Sequence, residues 1–594
     1  MKKQYHTLII GSGCAGFAGA ERLHALGVRD IAILTEGRLM GTSRNTGSDK
    51  QTYYKLSLCG GEGDSVREMA GTLFSGGGVM GEHALCEAAY STRAFMHLVE
   101  LGVPFPTNEY GEYAGYKTDH DPRARATSCG PLTSKYMTEA LERAATQKGI
   151  EILDGWRAIK ILTHKGAVSG VLCVSAKTGE FLALSCQNIL LCTGGPACVY
   201  QNTVYPESQH GATGLAIAAG AALSNMEQWQ YGIASTKFRW NLSGTYQQVL
   251  PRYLSVDQEG NEREFLFDAL GADSLGLIFL KGYQWPFDTR KLNGSSKIDL
   301  LVAAEIKKGR HVYLDFTQNP KGLEDGFAVL PDEAHAYLAR SGALFGTPIA
   351  RLEKMNAGAI ALYADHGIDL YRERLEIAVC AQHCNGGVAV DANWQSTVKG
   401  LYAAGEAAGT FGVYRPGGSA LNSTQVGALR AAEHIAAQKP REIAPLEYDL
   451  PPIRYGKSNI FALRDELRCE MSRVADFDRS TAGMQALFGK VCALCDKFFD
   501  TAVAENTSEH AELFRLLDML LTQRATLSAM LCAAEEIGTH GAALVDGKPD
   551  TSEQPRQTRT LTLGADSHIE PVSPLPDPEL WFETLLARKR GALS

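Results

Sequence analysis

Two glycine-rich segments, some 400 residues apart in a chain of 594, have residue types and spacing suited to holding a dinucleotide. The first is Gly11-Ser12-Gly13-Cys14-Ala15-Gly16. Gly11 suits a tight turn, Gly13 lets backbone approach a pyrophosphate, and Gly16 allows a helix to pack closely on a strand. Cys14 and Ala15 then open a helix whose free N–H groups and positive dipole end face the phosphates. Glu36 lies twenty residues after Gly16, the distance at which an acid takes ribose hydroxyls, and Gly37 follows it. The second segment is 401–409 (LYAAGEAAG), followed by Arg415-Pro416-Gly417-Gly418-Ser419-Ala420-Leu421. One Rossmann turn could serve several cofactors, whereas two such segments at opposite ends of one domain point to FAD.

The elements that must position these groups follow from the hydrophobic pattern. Residues 5–10 form a short apolar strand, 17–26 a helix, and 30–34 a second strand ending at Thr35-Glu36. Further strand signals occur at 151–153, 170–174 and 188–195. This alternation fills residues 1–225 and resumes over 359–440. Between them, residues 226–358 are rich in aromatics, prolines and polar turns, as in Trp229-Gln230-Tyr231 and Trp285-Pro286-Phe287. Leu463, Leu467, Met471 and Val474 stand at helical spacing and mark a helix-rich segment over 441–545. Residues 546–594 read as a polar, proline-containing tail with a last helix from about Glu579 to Arg590. The expected class is α/β: a discontinuous Rossmann-like FAD-binding domain, an inserted α+β capping domain, and a C-terminal helical domain.

Composition narrows the functional classes. A net charge of -9 without long runs argues against a nucleic-acid partner. No stretch approaches the ~20 apolar residues of a membrane helix, so direct membrane insertion is not expected. Met1-Lys2-Lys3 has the charge of a secretory leader, but the apolar part behind it is short and enters the glycine turn, so a cytoplasmic chain is expected. Fourteen cysteines at irregular spacing suit reduced thiols. Cys492 and Cys495 form an isolated CxxC, too few thiolates for an iron–sulfur cluster. Cys380 and Cys384 flank His383, where a metal site is conceivable, but the flavin reading accounts better for that segment and no metal is expected.

Several motifs occur in a fixed order: the Gly11 turn, Cys192-Thr193-Gly194-Gly195, 210–218 (HGATGLAIA) leading to Met226-Glu227, His383-Cys384-Asn385-Gly386-Gly387, 401–409, and Arg415 to Leu421. Together they resemble the flavoprotein subunit family of succinate dehydrogenase and fumarate reductase, which also holds L-aspartate oxidase and soluble flavin-dependent enoate reductases. The resemblance covers nearly the whole chain. It implies that Thr193, Gly194, Gly195, Glu227 and Gly405 join the first turn in holding FAD. It also implies that the helix opened by Gly417-Gly418-Ser419, with Ala420 and Leu421, points its N-terminus at the flavin ring and stabilises negative charge there. Glu406 resembles the acid that binds the ribityl hydroxyls, and Ser419 a hydroxyl at the pyrimidine edge. Arg415 and His383 match the pair that holds and polarises a substrate carboxylate, a task for which the arginine fork is suited.

The implied reaction is hydride transfer from flavin N5 to the β-carbon of an α,β-unsaturated acid, with a general acid serving the α-carbon. Departures from the family pattern reshape it. Gln230-Tyr231-Gly232-Ile233 stands where the family has Gln-Phe-His-Pro, and the family's catalytic Arg falls at Ser295-Ser296 if Glu305 is the helical Glu that follows it. Losing a His and gaining Trp240, Tyr246 and Trp285 suits an apolar or aromatic acid with one carboxylate better than fumarate. Arg290, Tyr246, Arg252, Tyr283 and Lys297 are the cap residues that could supply the proton. Loop 41–50 has no His for covalent attachment, so FAD is expected to be non-covalent, and Thr42 and Ser43 offer it hydroxyls. With no second nucleotide turn, electrons must come from an external donor, a redox protein or a reduced flavin. Two alternatives stay open: a flavin-dependent oxidase or dehydrogenase of an amino acid or related acid, and an electron-relaying flavoprotein subunit of a complex.

Overall fold

Five strands run parallel in the order Glu151–Asp154, Ile31–Thr35, Gln4–Ile10, Phe181–Leu191 and Leu401–Ala403. All of Ile31–Thr35 and Leu401–Ala403 is buried, as a parallel sheet covered on both faces requires. The strands Ala167–Ser175 and Trp156–His164 extend this seven-stranded sheet antiparallel from the first half of Phe181–Leu191. Helix Cys14–Ala25 packs against Thr133–Gln147 and Ser419–Ala437, so segments from both ends of the domain share one core. The computed structural model describes residues 4–61, 63–324, 326–439, 441–578 and 582–590. Met1-Lys2-Lys3 and Glu579, read above as leader-like and as the start of the last helix, lie outside them.

A second sheet of six antiparallel strands forms the cap, in the order Trp240–Asn241, Trp229–Ser235, Leu375–Cys384, His311–Asp315, Arg252–Val256, Glu262–Arg263. Leu375–Cys384 lies within the stretch 359–440 that the pattern assigns to the nucleotide domain, yet it pairs along Trp229–Ser235 in the cap. The cause is its burial on both faces, a pattern that a parallel strand would share. The chain therefore leaves the cap sheet only at Cys384.

Helices Ile460–Val474, Thr481–Asp496 and His510–Glu536 make the C-terminal domain. Their Leu467, Met471 and Met519 share one buried apolar cluster with Tyr231, Phe287 and Val302 of the cap. The tail departs from expectation. Thr558–Leu563 and Asp566–Pro571 form a hairpin, turning at Gly564 with φ 65, that joins Leu223–Ser224 and Gly387–Val388 in a four-stranded sheet. The last helix described is Phe582–Lys589. Among the described residues no helix is long and apolar enough to cross a membrane.

Candidate active site

The carboxyl ends of the parallel strands open onto one cleft, the usual ligand position in such sheets. Gly11, Gly13, Cys14, Ala15, Glu36, Gly37, Thr42, Ser43, Thr193, Gly194, Gly405, Glu406, Ala420 and Leu421 all line it, together with His383. Gly16 and Gly195 stand behind the wall for steric reasons. A Cβ on Gly16 would lie 2.0 Å from the Gly11 carbonyl oxygen, and one on Gly195 would lie 2.4 Å from Glu406 Oε1. Gly11 itself has φ 112, and its Cβ would meet the Cys192 carbonyl oxygen at 2.3 Å.

The donor set fits FAD. The Thr42 and Thr193 hydroxyls are buried in the cleft wall without a partner, available to phosphate or ribityl oxygens. Ser43 Oγ accepts from the Cys14 N–H at 3.3 Å beside the turn. At the far end, Glu36 pairs with Arg157 and accepts from Arg515 Nε at 2.9 Å. Burial alone would raise this carboxyl, but the two guanidinium groups hold it down at about 2. Glu36 therefore stays ionised, with lone pairs left for a diol. Sequence reasoning missed Arg157 and Arg515, since nothing in their local pattern shows that they meet Glu36.

At the other end, helix Ser419–Ala437 begins behind Gly418, whose φ of 92 turns the chain into it. Ala420 and Leu421 of its first turn face the cleft, so its dipole end does too. Arg415 lies just before this helix. Its Nη2 donates to Gln230 Oε1 at 2.6 Å, its Nε to Asn385 Oδ1 at 3.2 Å, and its Nη1 to Ser419 Oγ at 3.4 Å. Every one of these partners is neutral. Burial depresses the guanidinium to about 10, with Glu406 opposing, so it keeps its charge.

His383 stacks edge-on to Phe411 at 4.7 Å, and its Nδ1 lies 3.0 Å from Asn385 Oδ1. Burial and the Arg415 charge hold this imidazole well below its ordinary value, so it is neutral. Its Nε2 is 3.8 Å from Glu406 Oε1. That oxygen accepts from the Tyr205 hydroxyl and from the Cys384 N–H at 2.9 Å. Burial pushes the Glu406 carboxyl up to about 7 against those bonds, so this wall carries a group that titrates near neutrality. Cys380 and Cys384 belong to separate apolar clusters and do not converge on His383.

Other expected residues lie elsewhere. Glu227 is 2% exposed and lines a separate small pocket with Gln228, His540 and Arg556. Met226 enters the nucleotide-domain core, which turns its neighbour away from the FAD cleft. Tyr246 is sealed in the cap core, donating to the Ala359 carbonyl at 3.2 Å. Arg290 lies over the Tyr414 ring at 3.5 Å and pairs with Asp288. Arg252 is bound to Asp315 at 2.5 Å, Tyr283 donates to Glu333 at 2.6 Å, and Lys297 is exposed. None of these five lines the cleft.

The aromatic side chains act differently from expectation. Gly232 follows Gln230 by two residues on strand Trp229–Ser235, past the pairing irregularity between Gln230 and Tyr231. Its missing side chain leaves room for Trp285, whose ring atoms would lie 2.7–2.9 Å from a Cβ there. The Phe287 N–H donates to the Tyr231 carbonyl at 2.8 Å and ties the Trp285 segment to that strand. Trp285 thus packs flat on the cap strand at Gly232. Trp240 likewise packs on Gly47, with a ring carbon 2.8 Å from its would-be Cβ.

Comparisons with known proteins agree with this geometry. Residues 6–421 match the family described as FAD binding domain. A fumarate reductase (CoM/CoB) subunit of Methanothermobacter marburgensis is 26% identical over 559 residues, 90% of this chain and 93% of that protein. The L-aspartate oxidase of Agrobacterium fabrum is 27% identical over 442 residues, 73% of this chain and 74% of that one. Among solved structures, a quinol–fumarate reductase with menaquinol molecules superposes with a TM-score of 0.72 at 19% identity, over 98% of this chain and 99% of that one.

Proposed function

The chain belongs to the FAD binding domain family as an oxidoreductase related to fumarate reductase flavoprotein subunits and L-aspartate oxidases, and on that premise we propose that it reduces an activated C=C bond. The proposed substrate is an α,β-unsaturated acid with one carboxylate, fumarate not being among the preferred ones. FAD, held non-covalently, supplies the hydride at its ring N5.

The observation that supports this reading most is Arg415: a half-buried cation whose hydrogen-bond partners are all neutral, just before a helix whose first turn lines the cleft. Such a cation suits an anion delivered by the substrate. Five N–H donors minus the three engaged leave one on each terminal nitrogen, the number a carboxylate takes in a forked bond. Gln230 and Asn385 hold the fork in place. Trp285 offers a flat apolar surface to the rest of the acid and takes the room of any group that could receive a second carboxylate at Gly232. Glu406 Oε1 receives two donors, so a proton held by this carboxyl near neutral pH sits on Oε2. The electrons come from an external donor, a redox protein or a reduced flavin.

Reoxidation of the reduced holoenzyme tests the reading. The protein, reduced anaerobically, is mixed with fumarate, crotonate, itaconate and aryl-substituted enoates, and then with air, while the flavin absorbance is followed. Fast reoxidation by an aryl enoate, with air slow, is expected. Fast reoxidation by air with peroxide release, and by no alkene, would favour oxidation of an amino acid or related acid, the reaction named by the L-aspartate oxidase relatives.

A further inference from the structure

Asn385 is 0% exposed and forms part of no wall of the cleft, yet its side-chain oxygen meets both His383, which lines the cleft, and Arg415. Its Nδ2 donates to the Val413 carbonyl at 3.2 Å. A carbonyl can only accept, so the amide cannot be turned end for end without losing this bond. Its own N–H donates to the Gln228 carbonyl at 2.8 Å, which holds the residue from the backbone side. Oδ1 is thereby presented, as an acceptor only, to both Arg415 Nε at 3.2 Å and His383 Nδ1 at 3.0 Å. The imidazole must donate to such a partner, so its proton sits on Nδ1 and Nε2 carries a lone pair.

We propose that Asn385 is the positioning residue of this site: it locks His383 in the Nδ1–H tautomer and aims Arg415, so the substrate meets a cation beside a bare imidazole nitrogen. This rests on the enoate-reductase reading only for the identity of the substrate; the lock itself is a property of the resting protein. The consequence is chemical. A lone pair at Nε2 repels a second carboxylate and attracts an N–H or O–H. The substrate class is accordingly an unsaturated acid whose single carboxylate takes the Arg415 fork and which carries a hydrogen-bond donor beside it. Glu406, 3.8 Å from Nε2, reinforces the preference, since in its charged form it too accepts. The groups facing His383 are Asn385, Glu406, Arg415 and Phe411; Arg415 and the burial oppose protonation of the ring, Asn385 opposes the reverse tautomer, and Glu406 in its charged form favours a proton between itself and Nε2, which a ligand N–H or O–H supplies.

The tautomer is read directly from nitrogen-15 NMR of the histidine-labelled holoenzyme, with His383→Gln used to assign the signal. A protonated Nδ1 and an unprotonated Nε2 between pH 6 and 8 are expected; an Nε2–H form or a cation at pH 7 would overturn the proposal. Asn385→Asp keeps an acceptor for both partners, so the tautomer persists while the added negative charge moves the pH profile of turnover upward. Asn385→Leu removes the lock, mixes the tautomers and lowers kcat by about 100-fold, the size of effect that follows loss of alignment of a reacting pair. An unchanged tautomer in Asn385→Leu, with FAD content and melting temperature near wild type, would sink the idea. Should that variant not fold, the wild-type spectrum and Asn385→Asp still decide. In the substrate arm, an enoate bearing an N–H or O–H reoxidises the reduced enzyme at least tenfold faster than the same acid with that group methylated. Equal rates would overturn the acceptor role. If the tautomer is as expected but no enoate reacts, the enoate-reductase reading fails and the lock stands.

Discussion

Replacing Arg415 by Met keeps the length and apolar stem of the side chain and removes its charge and all five donors. Three of those donors bond Gln230, Asn385 and Ser419, and two are free for a ligand. A hydrogen bond to a charged group contributes roughly 1.5–3 kcal/mol, so losing two removes about 3–6 kcal/mol of transition-state binding. At about 1.4 kcal/mol per tenfold, kcat/KM for the enoate falls by roughly 100- to 10,000-fold. Arg415→Lys keeps a point charge without the fork and should lie between the two. The assay is stopped-flow reoxidation of the anaerobically reduced flavin at several enoate concentrations, with bound FAD quantified from its absorbance. The side chain does not line the nucleotide turn, so the flavin content of Arg415→Met should match wild type. A fully loaded variant that is reoxidised within threefold of the wild-type rate would show that the free donors of Arg415 do not hold the substrate.

Three further outcomes follow from the same structure. Glu87, 4% exposed, accepts from the Ser423 hydroxyl at 2.8 Å, and burial pushes its carboxyl from 4.5 up to about 7. The folded state then holds a proton that the unfolded chain has released, so this group's contribution to stability is complete below pH 4.5 and is lost between 4.5 and about 7. Glu87→Gln should melt several degrees above wild type at pH 8 and converge with it near pH 4.5 in thermal scans; parallel curves would refute the assignment. Gly232→Ala puts a Cβ 2.7 Å from the Trp285 ring and must displace it, so KM for an aryl enoate should rise about tenfold while FAD content is unchanged. Unaltered kinetics and indole fluorescence would remove Trp285 from the site. Acid precipitation should leave all flavin fluorescence in the supernatant, since loop 41–50 offers no His for a covalent link; flavin remaining on the pellet would contradict non-covalent binding.

The nucleotide cleft was legible because its demands are local. Gly11, Gly13 and Gly16 sit at one strand–helix junction, and Gly405 and Glu406 at another, where backbone approach admits few residue types. Glu36 was placed by spacing, but its two arginines come from residues 157 and 515, and no periodicity joins them. The proton-donor candidates lie off the cleft for a similar reason. Tyr246, Arg252 and Tyr283 are held by Ala359, Asp315 and Glu333, partners far away in the chain that no local pattern announces. Leu375–Cys384 itself reads as a strand of the nucleotide domain, because burial on both faces erases the alternation that separates cap from nucleotide domain. Asn385 lay in plain view beside His383. Its part became visible only when the Val413 carbonyl fixed the direction of its amide. The hairpin 558–571 hid in a polar stretch because its strands bury little and gain their order from pairing with Leu223–Ser224.

On the proposed function, the flavin of this protein passes its electrons to a carbon–carbon double bond of an acid held by Arg415. The most direct measurement is an electron balance: the anaerobically reduced holoenzyme is mixed with one equivalent of the best aryl enoate, and the saturated acid is quantified against flavin reoxidised. One saturated acid per flavin, and almost none with Arg415→Met under the same conditions, is the result the account predicts. Reoxidation without saturated acid, or its formation at the same rate by the Arg415→Met protein, would contradict it.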